Sequence, residues 1–280
     1  MSSPSHFAIS LILGAALLHA LWNAVVKGSG DRAITIGLIA IGNALFGIVL
    51  ALFVEPPGPE SYIYIALTIV VHLLYFIFLI SAYRLGDFSL VYPIARGVAP
   101  ILVACGGMIF AGEYLSQTAW MGLVLVSFAI SLLVLSKGKV PNDPKAIGAA
   151  LLTGLCIASY TIVDGLGVRA SGSPLGYIGW SFGLQISLGI GFLIYRRGHL
   201  SKLPRSGYMA GIIGGLISGL AYALAIYAMS LTTLGTVSAI RESSVIIAAL
   251  IGAIWFGERT WKPRLFSTGL VAFGVYLLAQ

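Results

Sequence analysis

The chain has 280 residues, 59% hydrophobic and only 9% charged, with a mean hydropathy of +1.00, which excludes a water-soluble globular protein and reads as an integral membrane protein. The formal net charge of +7 does not mark a nucleic-acid binder, because the basic residues fall in short breaks between apolar runs, where they set topology. Ten such runs follow one another, each roughly of the length (about 20 residues) that a helix needs to cross about 30 Å of hydrocarbon.

The first run, Phe7 to Val26, is preceded by "SSPSHF", which lacks the basic stretch of a cleavable leader, so it is expected to remain as a span. It carries His19, Trp22 and Asn23, spaced three and four residues apart and therefore on neighbouring helix faces. The second run is Ala33 to Val54. The third, Tyr62 to Tyr83, repeats the three-residue relation with His72 and Tyr75. Trp22 and Tyr75 are candidates for stacking on a substrate, with the polar tips of their neighbours bonding to it. For His19 and His72 a buried, satisfied histidine is the open alternative.

The fourth run, Ser89 to Phe110, contains "YPIARGVAPILV", in which Arg96 stands between Pro93 and Pro100 and Tyr92 joins the substrate-binding candidates. A charge at the centre of a span costs about 2.5 to 3.5 kcal/mol, so Arg96 must face a wet cavity or a partner. The prolines remove backbone donors and free nearby carbonyls, which predicts a kink. Gly112 and Glu113 then read as a helix end followed by an acidic residue that favours the next helix's first turn.

The fifth run is Thr118 to Leu135, and the sixth, Ala146 to Gly167, holds Tyr160 and Asp164. The seventh is Leu175 to Tyr195. The eighth, Tyr208 to Ser230, carries Gly211, Gly215 and Gly219 at four-residue spacing, expected to let backbones approach closely. Tyr222 and Tyr227 lie in the same run; placement near the lipid interface would explain several of these tyrosines and Asp164. The ninth, Thr236 to Phe256, contains Arg241 and Glu242, and the tenth is Pro263 to Ala279. Cys105 and Cys156 fall in apolar runs and read as small buried hydrophobes.

Ten spans put all odd-numbered connections on one side, and these hold thirteen Lys and Arg residues against Arg169 alone on the other. The positive-inside rule then places the odd connections in the cytoplasm and both termini outside. The two halves also resemble each other. With Arg96 placed over Arg241, "RGVAPILVACGGMIFAGE" and "RESSVIIAALIGAIWFGE" agree at seven of eighteen positions, including the arginine and the closing Gly-Glu. Five spans separate the fourth from the ninth, so the halves, residues 1–140 and 141–280, are expected to be inverted five-helix repeats within one membrane domain, with the site near the midplane between them.

The inverted plan sets Arg96 toward the inner half and Arg241 toward the outer half, where both are candidates to hold an anionic group through their planar donor forks. Glu242 next to Arg241 cannot face it on one helix. It is a candidate partner for Arg96 across the repeats, or a proton-coupling group, and Asp164 is the second coupling or ion-pair candidate.

"HALWNAVVK" at His19 to Lys27, "YPIARGVAPILVA" at Tyr92 to Ala104, "FAGE" at Phe110 to Glu113 and "SAIRESSVIIAALIGAIWFGE" at Ser238 to Glu258 together resemble the EamA branch of the drug/metabolite transporter superfamily. The resemblance covers essentially the whole chain. It implies a ten-span permease of the inner (plasma) membrane. Its first, third, fourth, sixth, eighth and ninth helices would line a central cavity and move amino acids, other metabolites or drugs.

No Walker sequence, HExxH or recognisable nucleophile set is present, so no catalytic residue, cofactor or metal is assigned and the chain is not expected to be an enzyme. The reading is an all-α secondary transporter of small polar metabolites, amino acids or related anionic or zwitterionic compounds, working by alternating access and exporting them. Uptake or exchange of an organophosphate or phosphonate is the alternative in the same class, and a lipid flippase or lipid-modifying enzyme the alternative class. The expected partners are the substrate, the lipid bilayer and, for coupling, protons. One chain contains a whole pathway, so a monomer suffices while a dimer stays open.

Overall fold

Apolar runs in this chain can satisfy their backbone in lipid only as helices, and short polar caps decide where several of them start. The computed structural model describes residues 4–26, 32–85, 88–135, 143–201, 203–247 and 261–280, without the side chains of 24–26, 32–33, 83, 88–93, 133–135 and 261–265. In chain order the helices are α1 (His6–Val26), α2 (Arg32–Ala51), α3 (Tyr62–Leu85), α4 (Phe88–Ala111), α5 (Gln117–Leu135), α6 (Pro144–Ala170), α7 (Pro174–Leu184), α8 (Ile186–Tyr195), α9 (Arg197–Leu200), α10 (Arg205–Met229), α11 (Leu234–Arg241) and α12 (Trp261–Leu278). The described residues contain no strand.

Asp143 accepts a hydrogen bond from the Lys145 amide ahead of Pro144, and Ser173 accepts one from Gly176 ahead of Pro174, so α6 and α7 begin on a capping side chain with proline in the first turn. Gly112, with φ of +62°, turns the chain out of α4, as its position after the fourth run predicts.

Among the described residues, seven helical segments are long and apolar enough to cross a membrane: those beginning at His6, Ile34, Pro59, Ile94, Pro144, Pro174 and Arg205. The protein is therefore a multi-pass helical membrane protein. The other three expected spans are only partly covered by described side chains. Their described portions include the apolar stretches Gln117–Leu132 of α5 and Phe266–Leu278 of α12, and of the ninth run residues 248–256 lie outside the described residues.

Two expected spans are broken. The seventh divides at Gln185 into α7 and α8. The ninth breaks at Glu242 and Ser243, where the amides of both bond to carbonyls three residues back, Ala239 at 3.1 Å and Ile240 at 3.0 Å, and helical backbone resumes at 244–247. A kink was expected in the fourth run, at its prolines. There α4 is one helix through Pro93 and Pro100, and the break in hydrogen bonding falls in the run without proline. Pro93 sits near the helix start, where few donors are lost, and Pro100 deprives only the Arg96 carbonyl of its partner four residues on.

Close backbone contact fixes the bundle where glycines meet. A Cβ built on Gly215 of α10 would stand 2.4 Å from the Ile39 carbonyl oxygen of α2, and one on Gly42 would stand 2.3 Å from that of Ile212. The glycine stripe of the eighth run is thus a packing seam between α2 and α10. α3 packs on α6, α1 on α10 and α11, and α4 on α5, α6 and α11. Leu17, Leu67, Phe110, Phe128 and Phe273 point outward, as side chains facing hydrocarbon do. Cys156 is buried, but Cys105 is exposed on this outer face, so the expectation that both are buried holds for one only.

Candidate functional site

α4 and α11 carry the charges that apolar surroundings make costly, and the fold brings them together. Arg96 donates from Nε to Glu242 Oε2 at 3.0 Å, with Nη2 2.9 Å from Oε1. This is a two-point guanidinium–carboxylate pair in which Arg96 is 4% and Glu242 1% exposed. Glu242 is presented by the helix break, which frees its side chain from the regular α11 surface.

Arg241 is equally buried. Its Nε has no acceptor among the described residues, and its guanidinium lies over the Tyr222 ring, 5.4 Å from the centroid. The hydroxyls of Ser238, one turn earlier, and Ser243 are likewise buried without a partner among the described residues. The two arginines were expected at opposite depths. Arg96 of α4 is bonded to the residue that follows Arg241 in the ninth run, so the two halves of the chain meet at this ion pair.

Around the charges lies an aromatic group. His72 stacks on Tyr160 with centroids 4.4 Å apart, Tyr75 meets Tyr160 edge-on at 5.7 Å, and Tyr222 meets Tyr160 edge-on at 5.6 Å. Asp164, 1% exposed, accepts from the Tyr222 hydroxyl at 2.7 Å and the Tyr177 hydroxyl at 2.9 Å. Asp164 and Tyr160 are therefore core residues; an interfacial placement is not what the structure shows. Tyr227 stands apart from this group. On α1, Trp22 donates its indole N–H to His19 Nδ1 at 3.3 Å, with the two rings edge-on at 5.3 Å.

The structure thus brings together Arg96, Arg241, Glu242, His19, Trp22, His72, Tyr75 and Asp164 from α1, α3, α4, α6 and α11, with Tyr222 of α10 joining them. These are the first, third, fourth, sixth, eighth and ninth runs of the chain. Asn23 donates to its own helix at the His19 carbonyl, 2.7 Å. The Tyr92 side chain lies outside the described residues, as do Gly257 and Glu258.

Sequence reasoning missed a second charged pair. Glu113 does not cap α5. Its carboxylate accepts from Arg169 Nη2 at 2.6 Å and from the Leu234 amide at 2.8 Å, so it caps α11 instead. Arg169 also donates to the carbonyls of Met229 and Thr232, at 2.8 and 2.9 Å. One ion pair ties the ends of α4, α6 and α10 to the start of α11. The signal was the single basic residue on the sparsely charged side of the chain, but nothing in local spacing couples residues 113 and 169.

Buried, opposed charges beside an interrupted helix single out this part of the multi-pass bundle. Among known proteins, residues 144–280 match the EamA-like transporter family. An uncharacterized protein of Pseudomonas aeruginosa, PA1977, is 28% identical over 179 residues, which is 64% of this chain and 60% of that relative, so the match spans less than two thirds of the relative's length. A protein of known crystal structure superposes with a TM-score of 0.77 over 97% of this chain and 96% of its own at 16% identity, a likeness of fold.

Proposed function

We propose that this protein is a secondary transporter of small anionic or zwitterionic metabolites, amino acids or related compounds, that works by alternating access of two inverted five-span repeats. The observation that carries the reading is Arg241. It is a buried guanidinium whose Nε lacks an acceptor, next to a helix break and a tyrosine face, while the second arginine is already neutralised by Glu242. A substrate carboxylate or phosphonate would complete the fork of Arg241, with Tyr222, His19 and the serine hydroxyls of α11 within the same neighbourhood. Support for inverted repeats comes from the packing: α3 on α6 and α1 on α10 exchange under a shift of five spans. In this state the charges are sealed from solvent, and the Glu113–Arg169 pair holds one end of the bundle shut.

Flux of a panel of radiolabelled amino acids and phosphonates in proteoliposomes tests the proposal. Wild type should move at least one soluble anion or zwitterion. Arg241→Ala should lower that flux by at least tenfold with unchanged melting temperature, and Arg241→Lys should restore part of it. Flux confined to lipids would replace this reading with a flippase.

A further inference from the structure

Asp164 is a buried carboxylate with no ion-pair partner among the described residues, unlike Glu242 and Glu113, each of which holds an arginine. Tyr177 of α7 donates to its Oδ1 and Tyr222 of α10 to its Oδ2. From α3, the Thr68 hydroxyl lies within reach of Asp164 and, at 3.1 Å, of His72 Nδ1. His72 itself is held by the Thr68 carbonyl at 2.8 Å and stacked on Tyr160 of α6. Beyond Tyr222 stands Arg241 of α11, one tyrosine ring away. Of the groups that face Asp164, His72, Tyr160, Tyr177 and Tyr222 are titratable, and none supplies a permanent countercharge.

We infer that Asp164 is a proton-binding site linked to the Arg241 substrate site through Tyr222, and that Glu242, the other coupling candidate, stays ionised as the partner of Arg96. The inference rests on the transport reading only for its linkage; proton binding stands alone. An ionised, unpaired carboxylate in a dry interior is costly, and a proton removes that charge. Each oxygen receives one O–H donor and keeps a further lone pair, which a proton takes without the room that a substrate ammonium group needs. When a proton from the open aqueous side binds Oδ2, the Tyr222 hydroxyl changes from donor to a charged acceptor into acceptor from a neutral acid, and a charge-assisted bond is lost. Tyr222 is then held by a weaker bond to Asp164 while it still underlies Arg241. Departure of the proton to the other aqueous side restores the starting bond.

Infrared difference spectra of the full chain in lipid, recorded across pH, read this site directly. Wild type should show one protonated-carboxyl C=O band that titrates as a single proton. The band should vanish in Asp164→Asn, persist in Glu242→Gln and move to higher frequency in Tyr222→Phe, which removes the hydroxyl bonded at Oδ2. Should Asp164→Asn fail to fold, the Tyr222→Phe shift carries the assignment. In proteoliposomes with an internal pH dye and an amino-acid gradient, wild type should move protons with substrate, and whatever flux Asp164→Asn retains should carry none. A band that survives Asp164→Asn, that disappears in Glu242→Gln, or that sodium ions remove at fixed pH overturns the inference. A normal band with no flux of any probe would sink the transport reading and keep the proton site; coupled flux without the band does the reverse.

Discussion

Arg96 and Glu242 are each tolerable in the bundle only because of the other. Arg96→Ala leaves a buried carboxylate without its countercharge, so thermal unfolding in detergent should show a loss of about 3 to 5 kcal/mol, and Glu242→Gln in the same chain should recover much of it. A structure held equally well by either residue alone would show no such recovery. These two residues and Arg241 were legible in the sequence, because a charge inside an apolar run is expensive and therefore has a reason. Asp164 was legible for the same cause, but its partners were not. Tyr177, Tyr222 and Tyr160 are as much at home at a lipid interface as in a core, and only their measured hydroxyl and ring contacts distinguish the two. Glu113 misled for a related reason: its place after Gly112 fits a local cap, while its carboxylate is bonded to a helix 121 residues away.

Helices behave here as rods whose ends and seams carry the specificity. The Glu113–Arg169 pair fastens four helix ends, so Glu113→Ala should strip protection from the Leu234 amide in hydrogen exchange and increase labelling at that end, with little change at Arg96. Unchanged Leu234 exchange would mean that the pair fastens nothing. At the α2–α10 seam a side chain meets backbone, so Gly215→Leu should cost at least about 1 to 3 kcal/mol through overpacking. Gly148 in α6 has nothing within 4 Å of a built Cβ, so Gly148→Ala should stabilise by about 0.8 to 1 kcal/mol from helix propensity. The contrast was half visible in advance: four-residue glycine spacing in the eighth run announced a seam, but which helix lay across it did not follow from spacing. The break at Glu242 and Ser243 had no sequence mark at all, since neither glycine nor proline stands there and three-residue hydrogen bonds replace the regular ladder.

Across the whole molecule, the uneven placement of Lys and Arg predicts where the ends lie. A reporter fused after Gln280 should be active when it requires the outer compartment and dark when it requires the cytoplasm, and the opposite result would remove the ten-span topology. Composition and run length by themselves determined that the chain is a helical, multi-pass membrane protein, because hydrocarbon leaves the backbone no other way to satisfy its polar groups. The repeated arginine pointed to a paired site for the same energetic reason that it could not be an idle charge. Only the tertiary structure decided that Arg96 pairs with Glu242, that Arg241 Nε has no acceptor among the described residues, and that a tyrosine joins Arg241 to Asp164. Those relations join residues tens to well over a hundred positions apart, and their distances follow from how the helices pack, which apolar periodicity does not encode.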